Sequence, residues 1–221
     1  MNHLDQFYSE ERLELTVSHS RWIMSKAGDL EEFWAKMTGE NPAEEDHIPY
    51  WTEIWPAAVA LGEYLYQKAR EIKGRVCLDL GCGLGLTTLV AAECGARAVG
   101  ADFQRPALDF ARQNAFLNNT RPLGLVQMDW NSPCFAPGTL DFIWGADILY
   151  ETRFFFPLAG FFKEHLQAGT RIWLADPVRN ISPGIWERFA NKGFAAVIKS
   201  EAEINAPGQK ATVRLMEIRL Q

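Results

Sequence analysis

The segment DLGCGLG at 79–85 holds the densest run of residues that could build a ligand site in the 221-residue chain. Gly81, Gly83 and Gly85 allow the backbone to turn tightly and to approach a ligand where a Cβ would collide with it. The order is G-x-G-x-G preceded by Asp79. A dinucleotide fingerprint, G-x-G-x-x-G, would need its third glycine at Leu86. An acid beside the turn suits the ammonium of a methionine moiety better than it suits a pyrophosphate; the alternative is a glycine-rich turn that holds no ligand. Asp102 closes the next apolar run, AVGAD. There it is placed to accept hydrogen bonds from both hydroxyls of a ribose, or else to cap the helix opening at Arg105-Pro106. Asp129 and Trp130, in VQMDW, fit an adenine held by its amino group and by stacking, and equally fit a turn residue beside a core aromatic.

These residues need elements that bring them to one edge of a sheet. From Gly74 onward strand-like and helix-like periodicities alternate, which predicts an α/β fold: a doubly wound, mostly parallel, seven-stranded sheet covered on both faces. The spacing predicts strands at 75–80, 98–101, 124–127, 141–145 and 171–175, with helices near 85–94, 106–118, 152–166 and 183–192. Phe194 to Ser200 and Ala211 to Leu220, separated by Pro207-Gly208, predict a C-terminal antiparallel hairpin. Upstream, alternation at Leu13, Leu15 and Val17 predicts a strand, with a second from Trp22. Asp29 and Glu32 open a short helix carrying Leu30, Phe33, Trp34 and Met37 on one face, and 39–49 is a polar loop. Pro56 opens a helix to about Arg70. The expected division is an N-terminal extension, 1–49, packed on a ligand-binding domain, 50–221. In a sheet of this kind ligands bind outside the carboxyl ends of the strands, where Asp147, Tyr150 and Asp176 fall.

The order of Asp79–Gly85, Asp102, Asp129 and WGADILY (144–150) resembles that of the seven-β-strand methyltransferases over residues 50–221. More narrowly, EIWPAAVALGEYL (53–65) and the Asp147-x-x-Tyr150 motif are similar to the methyltransferase-16 group, which includes protein-lysine methyltransferases. The resemblance implies a Rossmann-like methyltransferase fold and S-adenosyl-L-methionine as cofactor. It implies that Trp55 lines the cofactor pocket and that Asp147 and Tyr150 face the acceptor amine. Methyl transfer by in-line displacement requires a neutral nucleophile to be positioned and water excluded. A lysine amine, with an ordinary pKa near ~10.4, must first lose its proton. Asp147 is the expected orienting group and Tyr150 a hydroxyl partner, with Trp55 or Trp144 available for cation–π contact. Tyr150 and Trp144 read equally well as core aromatics. Asp176 and Arg179, in LADPVRN, shape the acceptor entrance or else simply make an Asp-Pro turn.

Composition narrows the alternatives. A net charge of −6 and a pI near 5.3 supply no global basic field for a nucleic acid. No apolar run approaches the ~20 residues that span a bilayer, and the polar start lacks a signal-peptide core, so a soluble, cytoplasmic protein is expected. The four cysteines show no C-x-x-C pair and the four histidines no ligand spacing, so reduced thiols and no metal site are expected. Three functions remain: N-methylation of a protein lysine, N-methylation of a small-molecule amine, and an inactive nucleoside-binding interaction module.

Overall fold

Alternation along the central strands creates the two faces of the sheet. Cys77, Trp144, Trp173 and Ala175 enter one buried cluster, whereas their neighbours Leu78, Ile143, Ile172 and Leu174 enter the other. This two-residue period, doubled by apolar residues on both sides, marks a sheet covered on both faces. The computed structural model describes residues 10–28, 49–179 and 182–221. The helix expected around Asp29 to Met37 and nearly all of the loop expected at 39–49 lie outside them.

The main sheet is seven-stranded: β3 (Val76–Leu80), β4 (Arg97–Asp102), β5 (Gly124–Gln127), β6 (Phe142–Ala146), β7 (Arg171–Pro177), β8 (Phe194–Ala206) and β9 (Gln209–Leu220), in the order β5-β4-β3-β6-β7-β9-β8. Pairing is parallel from β5 to β7, and β9 runs antiparallel to both β7 and β8. The C-terminal hairpin is longer than the sequence suggests. The strand expected to end at Ser200 continues to Ala206, because β9 pairs with it back to Gln209 across the Pro207-Gly208 turn, with a register shift between Ile198 and Ser200.

The helices are α1 (Pro56–Gln67), α2 (Ala69–Ile72), α3 (Leu86–Glu93), α4 (Arg105–Leu117), α5 (Phe155–Gln167) and α6 (Ser182–Asn191). The single helix expected from Pro56 to Arg70 divides at Lys68, and the short second piece buries Ile72 completely. α1 starts with Pro56 at a position where the missing N–H costs nothing, and packs against α3 and strands β7, β8 and β9. α5 packs on β7 and β9, and α6 on β8. Among the described residues no helix is long and apolar enough to cross a membrane.

The two N-terminal strands, β1 (Glu10–Val17) and β2 (Ser20–Ala27), form a separate hairpin. Its docking on α4 uses side chains that imitate a strand. Asn118 Oδ1 accepts from Ile23 N (2.9 Å) while its Nδ2 donates to Ile23 O (2.7 Å). Asn114 does the same for Ser25, at 2.6 and 3.1 Å. The four residues from Asn114 to Asn118 advance ~6 Å along the helix, close to the ~6.6 Å between alternate residues of a strand. Two asparagines one turn apart therefore satisfy an edge that would otherwise carry unpaired backbone groups.

Candidate functional site

β3 is flanked by β4 on one side and β6 on the other, so successive crossovers leave it in opposite directions. A crevice opens at such a point beyond the carboxyl ends of the strands. Here it is a cavity of about 510 Å³, lined by Gly81, Gly83, Asp102, Asp129, Trp130, Asp147, Tyr150 and the segment Tyr50–Trp55, with other residues. That volume lies in the ordinary range for a small-ligand pocket, ~300–1,000 Å³.

Its floor is set by the glycine turn. Gly81 N and Cys82 N both donate to Ala101 O, at 2.8 and 2.9 Å, tying the turn to the neighbouring strand. Gly81, Gly83 and Gly85 all have positive φ, at 73°, 52° and 87°, a region open chiefly to glycine. Their roles differ. Gly81 and Gly83 face the cavity. Gly85 stands off it, where a Cβ would come within 2.9 Å of Ala111 Cβ; its need is close packing of α3 and α4.

Asp79 also stands behind the wall. Its Oδ2 accepts from the hydroxyls of Thr87 and Thr88, each at 2.6 Å, fastening the first turn of α3 to β3. Burial pushes this carboxyl up to about 6, against the pull of the two threonines and of Trp144. The ammonium partner expected from the sequence is thus a carboxylate one layer removed from the cavity. Trp144 is likewise fully buried outside the lining.

Asp102 does reach the cavity. Its Oδ2 accepts from Gly83 N and its Oδ1 from Gln104 N, both at 2.9 Å, which fixes the carboxylate against the glycine turn. Burial pushes it up to about 6, opposed by the backbone N–H groups of Gln104, Gly83 and Phe103. Asp129 is exposed at the rim, its Oδ1 accepting from the backbone and side chain of Asn131 at 2.8 and 3.0 Å. Trp130 lies edge-on to Phe154, at 5.0 Å between centroids, and its Nε1 is buried with no hydrogen-bond partner among the described residues. A lone buried indole N–H in a cavity wall is an unmet donor.

The rest of the lining is aromatic and acidic, its rings continuous with Trp130 through Phe154. Tyr150 contacts Tyr50 at 5.0 Å and Phe154 at 5.1 Å. Burial pushes its phenol above the ordinary range, with the charges of Glu151 and Asp102 adding to the effect. Trp55 donates from Nε1 to Tyr50 O at 2.7 Å, which locks the turn ahead of α1. Tyr50, Glu53, Glu151 and Phe154 also line the cavity, and of these Glu53 alone falls in a motif quoted from the sequence, at the start of EIWPAAVALGEYL. Glu53 is held by Lys26 of β2 at 2.6 Å.

Asp147 follows β6 in the left-handed region, at φ 57°, with its N–H on Ala175 O at 2.8 Å. Aspartate tolerates that conformation better than bulkier residues do. Gly145 gives the turn room, since a Cβ there would meet Ile148 Cδ1 at 2.5 Å. The Asp147 carboxylate is almost wholly buried and is gripped by Arg179 in a two-pronged fork, Nη1 to Oδ1 and Nη2 to Oδ2, each at 2.6 Å. The sequence brought both residues to notice without indicating that they pair.

This strand order, with a cavity at its reversal point, is the Rossmann-like fold of methyltransferases. The 16S rRNA N2 G1207 methyltransferase RsmC of T. thermophilus, solved in complex with AdoMet and guanosine, superposes with a TM-score of 0.59 at 16% identity, over 96% of this chain and 51% of that one. Magnesium protoporphyrin IX methyltransferase from Synechocystis PCC 6803, with bound SAH, gives 0.55 at 15% identity over 85% and 92%. At such identities the likeness concerns the fold alone. The sequence profile of the lysine methyltransferase family matches residues 44–199, well over half of the chain, and the protein belongs to that family. Similar curated proteins include mouse protein N-lysine methyltransferase METTL21A, 38% identical over 44% of this chain and 47% of its own length. Mouse histone-arginine methyltransferase METTL23 is 31% identical over 49% and 45%. The zebrafish electron transfer flavoprotein beta subunit lysine methyltransferase is 32% identical over 59% and 51%. The chain spans about half the length of the curated relatives it matches.

Proposed function

We propose that the protein is an S-adenosylmethionine-dependent N-methyltransferase acting on a lysine side chain of a protein, with residues 50–221 as the catalytic domain and 1–49 as an extension packed on it. The observation that carries this reading is a single cavity lined by two sets of groups. One has a buried carboxylate, Asp102, fixed on the glycine turn beside the unmet donor of Trp130; the other is aromatic and acidic around Asp147 and Tyr150. Asp102 would hold the ribose hydroxyls, Asp129 and Trp130 the adenine, and Gly81, Gly83 and Trp55 the rest of the cofactor. When bound, the cofactor supplies an activated methyl group.

The chain's remaining task is to present a neutral amine and keep water out. Asp147 would accept a hydrogen bond from the amine, Tyr150 would contribute its hydroxyl, and the rings of Tyr50, Trp55 and Phe154 would close the site. Five carboxylates line the cavity, on Glu53, Asp102, Asp129, Asp147 and Glu151; Lys26, Arg179 and Arg153 pair with three of them, and the acidic excess that remains favours a cationic side chain. Membership of a lysine methyltransferase family and the likeness to METTL21A favour lysine. With all four cysteines unpaired, the cytoplasm is the compartment we assign.

Calorimetric titration with S-adenosylhomocysteine, with NADH as control, tests the cofactor. Micromolar binding of the first alone is expected, and its absence would overturn the reading in favour of an inactive interaction module. Labelled methyl transfer into lysate then separates a protein acceptor, seen as labelled bands, from a small-molecule amine.

A further inference from the structure

The acceptor wall already contains a cation. Asp147 lines the cavity, yet both of its oxygens are taken by the Arg179 guanidinium, and only 5% of its side chain is exposed. Arg179 is not itself among the lining residues, although it interacts with Tyr50, which is, and 32% of its side chain reaches solvent. It follows β7 by two residues, and Val178 N is fixed on Thr212 O at 2.8 Å, so the side chain can leave Asp147 by rotation without displacing the strand. A second counter-charge is near: Asp176, itself buried, acts on the same guanidinium.

A fork of this kind satisfies a carboxylate geometrically as well as electrostatically. A neutral amine brings no charge to replace that of the guanidinium, whereas a side-chain cation does; an ammonium seated in this way loses its proton to solvent water before it acts as the neutral nucleophile. We infer that Arg179 is an internal occupant of the acceptor subsite, seated on Asp147 until the cationic end of a substrate side chain exchanges with it. The subsite therefore selects a long cationic side chain, ammonium or guanidinium, over a neutral amine.

This inference rests on the proposed acceptor role of Asp147, and a test that needs no knowledge of the natural substrate separates the two. The protein, saturated with S-adenosylhomocysteine, is titrated at constant ionic strength with ethylguanidinium chloride and with butylammonium chloride, stand-ins for the ends of arginine and lysine. Arg179→Met keeps the apolar stem and removes the occupant. It should bind ethylguanidinium at least tenfold more tightly than the wild type, and adding Asp147→Asn to it should abolish the gain. Affinity for S-adenosylhomocysteine should stay within twofold throughout. No gain in Arg179→Met, or a gain that survives Asp147→Asn, overturns the inference while the methyltransferase reading stands. Failure of the wild type to bind S-adenosylhomocysteine overturns that reading instead. If Arg179→Met does not fold, Arg179→Lys, which keeps the charge but not the fork, carries the test; it should still bind ethylguanidinium measurably more tightly than the wild type, and equal affinity sinks the inference.

Discussion

The two ends of the cavity are built in different ways. At the proposed cofactor end the decisive contacts are made by backbone N–H groups: Gly81 and Cys82 donate to Ala101 O of β4, and Asp102 accepts from Gly83 and Gln104. At the acceptor end the decisive contact joins two side chains 32 residues apart, Asp147 and Arg179, and neighbouring rings come from the turn before α1 and the segment after β6. Backbone contacts survive most substitutions of side chains, whereas a side-chain pair is lost with either partner. A fold can therefore keep its cofactor end while its acceptor end diverges, which agrees with a family whose named relatives include enzymes for both lysine and arginine.

The largest effect should come from breaking the acceptor end alone. Asp147→Ala removes the group proposed to orient the amine, and turnover should fall by a factor on the order of a hundred or more. Affinity for S-adenosylhomocysteine, measured by calorimetry, should be nearly unchanged, because no cofactor-end contact passes through Asp147. A parallel fall in both would mean that the two ends are one unit and would break the comparison.

A smaller effect should sharpen the cofactor end. Burial pushes Asp102 up to about 6. In the role proposed for it, Asp102 must be ionised to accept from the ribose hydroxyls, so affinity is held above that value and lost as pH falls through it. Between pH 7.5 and pH 5 the ionised fraction drops to about a tenth, and S-adenosylhomocysteine should bind about tenfold more weakly. Folding runs the other way: a carboxyl whose folded value lies above its ordinary one favours the native state at low pH and loses that contribution as pH rises through about 6. Asp102→Asn should flatten the binding profile. A slope that persists in that variant would point to Asp79, also pushed up to about 6 but one layer behind the wall.

The same contrast governs what the sequence made legible. The glycine turn, Asp102 and the order of strands were readable because the cofactor end is nearly contiguous: strand, turn and helix follow one another, and the periodicity of each is local. Asp79 shows where this stops. Its position in the motif is conspicuous, but whether a carboxylate faces a ligand or two threonines depends on which way the first turn of α3 rolls, and Thr87 and Thr88 carry no special signature. Gly85 looks identical to Gly83 in sequence, and its real constraint is Ala111 on another helix. At the acceptor end Asp147 and Arg179 were each conspicuous, and their pairing was not, since a two-pronged contact leaves no spacing to read. Tyr50 and Phe154 were missed for the same reason.

The least effect, and the most discriminating for the cofactor end, concerns the asparagines of α4. Both hold β2, but Asn114 also donates to Leu84 O at 3.0 Å, inside the glycine turn, whereas the side chain of Asn118 bonds only Ile23 and Asn114 O. Asn118→Leu should cost about 1–2 kcal/mol of stability in a urea titration, the value of two part-buried hydrogen bonds and their unpaired backbone groups, and leave S-adenosylhomocysteine affinity alone. Asn114→Leu should lower stability by at least as much and weaken the cofactor as well, because it frees the carbonyl that the turn presents to α4. If both variants weaken binding equally, the N-terminal hairpin itself supports the turn, and the cofactor end is less local than its backbone contacts imply. If neither does, the bond from Asn114 to Leu84 is incidental, and the contacts to β4 alone hold the turn in place.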